Sequence, residues 1–293
     1  MTVAEAWQAG REHLAAQGID EAAITAEVLL RHSLSLTRTE LYVAWDRPVD
    51  DAAFARYQAS MSERIRGRPV AYITGHREFM GLDFLVDERV LIPRPETETL
   101  VEMVLALTGG HASPHIADIG TGCGAIAVSL AVARPTAIIV ASDISPDVLA
   151  VARLNAARHG VTDRVRFLLG DLVDPIAAAG YRVDAIACNP PYVAPDQMVA
   201  LPREVRDFEP AAAVIAPEHA ESVHSRLMDE APRALVPEGW LVMELAAGQA
   251  PRVVELLDQT ARYSAVQTRK DGLGWERVVA ARLRPSTSSE ARP

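Results

Sequence analysis

The chain has 293 residues, 49% of them apolar and 23% charged, with a formal net charge of −10. That composition belongs to a globular protein with a large core and room for two domains, and excludes a disordered or collagen-like chain. The acidic balance argues against a grip on long stretches of nucleic-acid backbone, which needs a basic surface, and no run approaches the ~20 apolar residues of a membrane span.

The first 70 residues read as helical. Val3, Trp7 and Leu14 share one helical stripe, and Phe54, Tyr57, Met61 and Ile65 share another. Thr37-Arg38-Thr39-Glu40 has the spacing of a capping box. Asp20 is expected to cap the alanine-rich run Glu21 to Arg31. This region is either a bundle packed on the rest or a docking module for a macromolecular substrate. The first residues, Met1-Thr2-Val3-Ala4-Glu5, lack the basic and apolar stretches of a signal peptide.

Residues 71–95 form a connecting β-hairpin, with two short strands around Gly81. In Leu91-Ile92-Pro93-Arg94-Pro95-Glu96-Thr97-Glu98, Pro95 suits the first turn of a helix and the two glutamates suit its positive end. That helix should run to about Thr108.

From residue 115 short apolar strands alternate with helices. Strands are expected at 115–119, 138–143, 165–169, 183–188, 239–245, 263–269 and 275–282, and helices at 124–134, 146–159, 219–235 and 249–261. Ser145-Pro146 makes a good helix start. This is a doubly wound α/β pattern. The last two strands have a short link and should pair antiparallel, giving a seven-stranded mixed sheet. The tail 284–293 is polar and aperiodic, and is expected to be disordered. Cys123 and Cys188, the two cysteines, fit reduced core thiols of a cytoplasmic protein. No Cys/His cluster has metal-ligand spacing, so no metal is expected.

Four strand ends carry the chemistry. Asp118-Ile119-Gly120-Thr121-Gly122-Cys123-Gly124 follows the first strand, with glycines where the backbone must turn sharply against a ligand. The second strand ends in Asp143, about 20 residues on, where a carboxylate can accept both ribose hydroxyls of an adenosine. Asp171, after the third strand, could take the adenine amino group, with Leu172 against the ring. After the fourth strand comes Asn189-Pro190-Pro191-Tyr192. The prolines stiffen the turn and leave its carbonyls free. The Asn189 oxygen and a backbone carbonyl suit the two protons of a planar NH2 group, and Tyr192 suits its face. A carboxamide or an exocyclic amine fits. The glycine loop alone also satisfies a dinucleotide fingerprint. A hydride-transfer enzyme, however, has no use for that tetrapeptide, whereas a methyl donor carrying adenosine and a sulfonium does.

With these residues assembled, the chain resembles the class I S-adenosylmethionine-dependent methyltransferases. Within them it is similar to the release factor glutamine N5-methyltransferases. The match rests on Ile92 to Glu98, Asp118 to Gly124 and Asn189 to Tyr192. Weaker support comes from Pro69 to Gly75, Arg77 to Phe79, Phe208-Glu209-Pro210 and Glu276 to Val279. The resemblance implies a Rossmann-like methyltransferase domain over 96–283 and a substrate-docking helical domain over 1–70. The implied cofactor is S-adenosylmethionine, bound by Gly120, Thr121, Gly122, Cys123, Gly124, Asp143, Leu172 and Asn189. The implied substrate is the glutamine of the Gly-Gly-Gln loop of peptide chain release factors, its amide held by Asn189, Pro190, Pro191 and Tyr192. Asn189, Pro190 and Tyr192 would be the catalytic groups. Arg94 and Glu96 either cap a helix or join the substrate site. A monomer with no direct nucleic-acid or membrane partner is expected.

Two segments depart from the family pattern. Ala211 to Glu218 lacks the usual glycine-rich stretch, and Glu244 is followed by Leu245-Ala246-Ala247-Gly248 without the usual glycine two residues on. Three alternatives stay open: glutamine methylation of a ribosomal protein, N6-adenine methylation of nucleic acid, and a cofactor-binding interaction protein without catalysis.

Overall fold

The computed structural model describes residues 1–285; from residue 286 on, the expected disordered tail lies outside the described residues. The chain divides into two compact units, Met1–His76 with Leu201–Phe208, and Arg77–Ala200 with the chain from Glu209 onward.

The first unit is helical: Val3–Ala16, Ala22–Leu34, Arg38–Val43, Asp51–Ile65, Val70–Thr74 and Arg203–Phe208. Thr37 and Glu40 close the expected capping box, and Thr2 and Glu5 close another. Asp20 does not cap. The second helix begins at Ala22 with Glu21 in the cap position and no side-chain bond, so Asp20 sits one residue too early to reach the orphan amides. Leu14, Leu29, Leu30, Leu41 and Tyr57 are fully buried in this unit's core. Gly10 is required there, since a Cβ on it would stand 1.8 Å from the Tyr57 hydroxyl oxygen. Arg64 pairs with Glu204 at 2.9 Å, joining the later helix to this unit.

In the second unit β1 (His76–Phe79) and β2 (Leu82–Leu85) form the expected hairpin. Met80 and Gly81 turn it with φ of 52° and 72°. Glu98 holds the turn by accepting the Met80 amide at 2.7 Å. A short 3-10 turn, Pro95–Thr97, leads into the helix Glu98–Leu107.

The main sheet comprises β3 (His115–Ile119), β4 (Ile138–Asp143), β5 (Val165–Leu169), β6 (Val183–Cys188), β7 (Leu235–Glu244), β8 (Tyr263–Lys270) and β9 (Glu276–Leu283). Its order is β5-β4-β3-β6-β7-β9-β8. The first five are parallel, and β9 runs antiparallel to both β7 and β8. The helices between are Ala125–Ala133, Pro146–Arg158, Asp174–Ala178, Ser222–Glu230 and Ala250–Thr260. Ser145 caps the second of these, with Pro146 in its first turn. Register pairs Ile119 with both Ser142 and Cys188, and Cys188 with Met243. The loops leaving β3, β4, β6 and β7 therefore emerge side by side, at the point where strand order reverses. Ligands of open α/β sheets bind there.

Two expected elements differ. The helix placed at 219–235 is Ser222–Glu230, followed by a 3-10 turn at Ala231–Arg233; Pro232 cannot continue an α-helix. The next strand begins at Leu235 rather than 239. Pro237 and Glu238, at φ 65°, obscure its start, where the register with β6 shifts between Val183 and Ala185. Between 195 and 214 lie a 3-10 helix, Pro195–Ala200, and helices Arg203–Phe208 and Ala211–Val214, for which no periodicity was visible. Among the described residues no helix is long and apolar enough to cross a membrane.

Candidate active site

The glycine loop is a preformed cradle. Gly120, Gly122 and Gly124 have φ of 68°, 57° and 85°, where any other residue costs roughly 1–2 kcal/mol. A Cβ on Gly120 or Gly122 would meet nothing within 4 Å, so the space beyond the loop is open. Thr121 and Cys123 are buried and offer a ligand their backbone rather than their side chains. Burial pushes the Cys123 thiol up to about 12, and it stays unreactive.

Two carboxylates hold this loop. Asp118 is fully buried; its Oδ2 accepts from the Thr121 hydroxyl at 2.6 Å and the Ala127 amide at 3.1 Å. Its Oδ1 has no partner, and burial pushes the group up to about 7. Asp143 Oδ2 accepts from the Gly122 amide at 3.2 Å and Oδ1 from the Ser145 amide at 3.1 Å. Burial raises its pKa as well. Each Asp143 oxygen keeps a lone pair beyond these bonds, so the carboxylate still has capacity for a pair of hydroxyls. Asn155 ties the cradle to the hairpin. Its Oδ1 accepts from the Leu85 amide at 2.8 Å, and its Nδ2 donates to the carbonyls of Leu85 at 2.9 Å and Cys123 at 2.8 Å.

The tetrapeptide leaves β6 beside this cradle. Asn189 is half-buried and Pro190 buried. Asn189 Nδ2 donates to the Thr97 hydroxyl at 3.2 Å. Thr97 is 4% exposed and Glu244 1% exposed. Burial pushes Glu244 up to about 7, against the pull of the nearby Thr97 hydroxyl and the Arg277 and Arg94 charges. The Tyr192 phenol goes up to about 12, first through burial and then through the Glu244 charge. It stays neutral and is no base. His224 is also fully buried, with its pKa lowered by desolvation. Its Nε2 lies 2.8 Å from the Glu244 carbonyl, so the neutral ring donates there.

Arg94 forms an ion pair with Glu209, whose other oxygen accepts the Ile92 amide at 3.2 Å. That pair staples the segment before the 3-10 turn, so Arg94 is engaged inside the protein. Glu96 is half-buried and adds negative charge near Tyr192. Asp171 lies at the next strand end along the edge, but it is exposed and its Oδ2 accepts from Arg226 at 2.8 Å. Leu172 adopts φ 42°, and its carbonyl accepts the Ser142 hydroxyl at 2.9 Å. The segment after Pro210 folds back on the tetrapeptide: Val193 donates to Val214 O at 3.1 Å and accepts from Ala216 at 2.9 Å. After Glu244, Leu245 donates its amide to Arg277 O at 2.7 Å, and Gln249 Oε1 accepts the Ala246 amide at 2.9 Å. Both atypical segments thus border the same site.

Sequence reasoning missed Thr97, Asp118, Asn155 and Glu244. Asp118 had a signal in opening the Asp-Ile-Gly loop, and Glu244 in ending its strand. Thr97 and Asn155 sit on helical segments whose pattern hides them.

A mixed sheet of this order, with a glycine loop after β3, a carboxylate closing β4 and Asn-Pro-Pro-Tyr after β6, defines a Rossmann-like methyltransferase. Residues 5–75 match the PrmC N-terminal domain and residues 96–205 the methyltransferase small domain. The chain is 38% identical over 282 residues to the release factor glutamine methyltransferase of Koribacter versatilis (strain Ellin345), covering 96% of this chain and 99% of that protein. It is 42% identical over 260 residues to the protein of the same name from Chlorobaculum tepidum, covering 86% and 87%. It belongs to the release factor glutamine methyltransferase family. Among solved structures, the hMettl16 catalytic domain in complex with the MAT2A 3'UTR hairpin 1 superposes with a TM-score of 0.56 at 17% identity, covering 81% of this chain and 84% of that one. At that identity the likeness concerns the fold alone.

Proposed function

We propose that this protein transfers a methyl group from S-adenosylmethionine to the side-chain amide nitrogen, N5, of the glutamine in the Gly-Gly-Gln loop of peptide chain release factors. The observation that supports this best is the polarity of Asn189. Its nitrogen bonds Thr97 at 3.2 Å, which leaves its oxygen as an acceptor in the same tetrapeptide turn as the Pro190 carbonyl. Two such acceptors match the two N–H bonds of a neutral carboxamide.

The loop Gly120, Thr121, Gly122, Cys123 and Gly124, together with Asp143, Asp171, Leu172 and Asn189, would hold the cofactor. The open cradle and the spare lone pairs of Asp143 fit it. For Asp171 this role means giving up its ion pair with Arg226. Once bound, the cofactor supplies an electrophilic methyl carbon. The protein's own part is positioning. An amide nitrogen is a poor nucleophile because its lone pair is delocalised into the carbonyl. Asn189 Oδ1 and the Pro190 carbonyl would fix both of its protons and aim that lone pair. The same two oxygens stabilise positive charge growing on nitrogen, a preorganised effect that needs no rearrangement during reaction. Pro191 stiffens the turn, and the neutral Tyr192 ring would cover the amide plane. Glu96 lies within the reach of this site's charges. The helical unit would dock the release factor.

Incubation with methyl-labelled cofactor and, in separate arms, a purified release factor, ribosomes and DNA tests this. Label on the release factor glutamine is the expected result. Label confined to ribosomal protein or to adenine would replace this reading with that substrate class.

A further inference from the structure

We propose that Leu273 and Trp275, on the turn between β8 and β9, form a docking point for the polypeptide that presents the glutamine. The inference rests on the functional reading for which polypeptide that is, and adds where the chain holds it.

The turn overhangs the substrate edge of the sheet. β9 runs antiparallel to β7 with Val278 opposite Glu244, the last residue of β7. Trp275 precedes Val278 by three residues, so it stands about 10 Å past the end of β7. Asn189 leaves β6 one residue after Cys188, which lies opposite Met243. β6 and β9 flank β7, so the tetrapeptide and the turn leave the same edge about 10 Å apart. An extended polypeptide covers that distance in about three residues.

The turn is also rigid. Asp271 Oδ1 accepts the amides of Leu273 at 2.9 Å and Trp275 at 3.0 Å, and Oδ2 accepts Arg277 Nε at 3.0 Å. The Asp271 carbonyl accepts the Gly274 amide at 3.0 Å, and its own amide donates to Trp275 O at 2.8 Å. Arg277 ties the turn to the end of β7, since Leu245 donates its amide to Arg277 O at 2.7 Å. On this frame Leu273 is 78% exposed and Trp275 54%. Single exposed apolar side chains are ordinary. These two share one fixed tip, so they can be covered without ordering a loop first. The other three tryptophans are half-buried: Trp7 and Trp45 have rings 5.6 Å apart, and Arg282 lies over Trp240 at 5.8 Å. Residues 271–276 contain two carboxylates and no lysine or arginine, which disfavours a phosphate backbone and suits apolar contact with protein. The amide site reads only a carboxamide, so a second contact beside it lets the enzyme recognise the chain that bears it.

Full-length double variant Leu273→Ala/Trp275→Ala should raise KM for the release factor roughly tenfold or more, the scale of losing interface anchors, with kcat within about twofold of wild type. Calorimetric affinity for the demethylated cofactor product should not change. Trp275→Phe, which keeps an apolar ring, should stay near the wild-type KM. In the wild type, hydroxyl-radical oxidation of Trp275, read by mass spectrometry, should fall when release factor is added. An unchanged KM in the double variant, including one whose self-association changes instead, would overturn the proposal. So would Trp275 oxidation that release factor leaves unaltered, or a loss of kcat or cofactor affinity as large as the KM change. Normal wild-type methylation alongside any of these leaves the substrate reading intact. If the wild type leaves release factor unmethylated yet release factor shields Trp275, the substrate reading fails and the docking point stands.

Discussion

Replacing Glu244 by glutamine should stabilise the protein, and the gain should depend on pH. Glu244 sits at about 7 in the folded protein against an ordinary 4.5, chiefly through burial. Below the ordinary value both folded and unfolded chains carry the proton, and the residue costs nothing. As pH rises the unfolded chain ionises first, so stability is lost progressively until the folded pKa is passed. At roughly 1.36 kcal/mol per pH unit, the gap amounts to about 3 kcal/mol. Glutamine keeps the shape but has no charge to bury. Urea unfolding of wild type and Glu244→Gln should therefore show the variant ahead by about 1 kcal/mol near pH 5 and by about 3 kcal/mol near pH 8. Asp118, also raised to about 7, tilts both proteins alike and cancels in the comparison. Parallel stability profiles, or a variant weaker than wild type near pH 8, would refute the reasoning. They would mean that Thr97, Arg277 and Arg94 compensate the carboxylate fully.

Other substitutions separate the parts of the site. Asn189→Ala should retain cofactor affinity by calorimetry but lose turnover by roughly a hundredfold or more, the scale of removing one preorganised polar group; near-normal turnover would contradict its role. Asp143→Ala should weaken cofactor binding by roughly tenfold or more, for loss of hydrogen bonds to a charged acceptor, and an unchanged dissociation constant would move the ribose elsewhere. Asn155→Ala strips partners from Leu85 and Cys123 in a fully buried setting. It should cost about 2–4 kcal/mol in denaturant unfolding; a loss within experimental error would mean the hairpin and glycine loop are held by other contacts.

The α/β core was legible because each parallel strand is a short apolar run closed by a polar or glycine residue. Ile119, Asp143 and Cys188 end their strands where the pattern breaks. The antiparallel hairpin β8–β9 followed from the short link read at Lys270 to Gly274. The start of β7 was not legible, because Pro237 and Glu238 interrupt its alternation. Asp20 looked like a cap by residue type, yet one position decides whether a side chain reaches the free amides. At the site, Asn189, Tyr192 and the glycines announced themselves through rare local sequence. Thr97 did not, since its part in the site lies in its contact with Asn189, far along the chain, and nothing local marks it. Arg94 read either as part of a helix start or as a substrate-site group; its partner Glu209 lies more than a hundred residues on, beyond what spacing can reveal.

The central claim is that Asn189 Oδ1 and the Pro190 carbonyl together grip a neutral carboxamide by its two protons. A crystal structure with the demethylated cofactor and a glutamine-containing release factor fragment measures this directly. The account predicts the glutamine Nε2 at hydrogen-bonding distance, about 2.9 Å, from both oxygens, with the Tyr192 ring against the amide plane. A glutamine amide bonded elsewhere, or an Asn189 that turns its nitrogen toward the substrate, would contradict it.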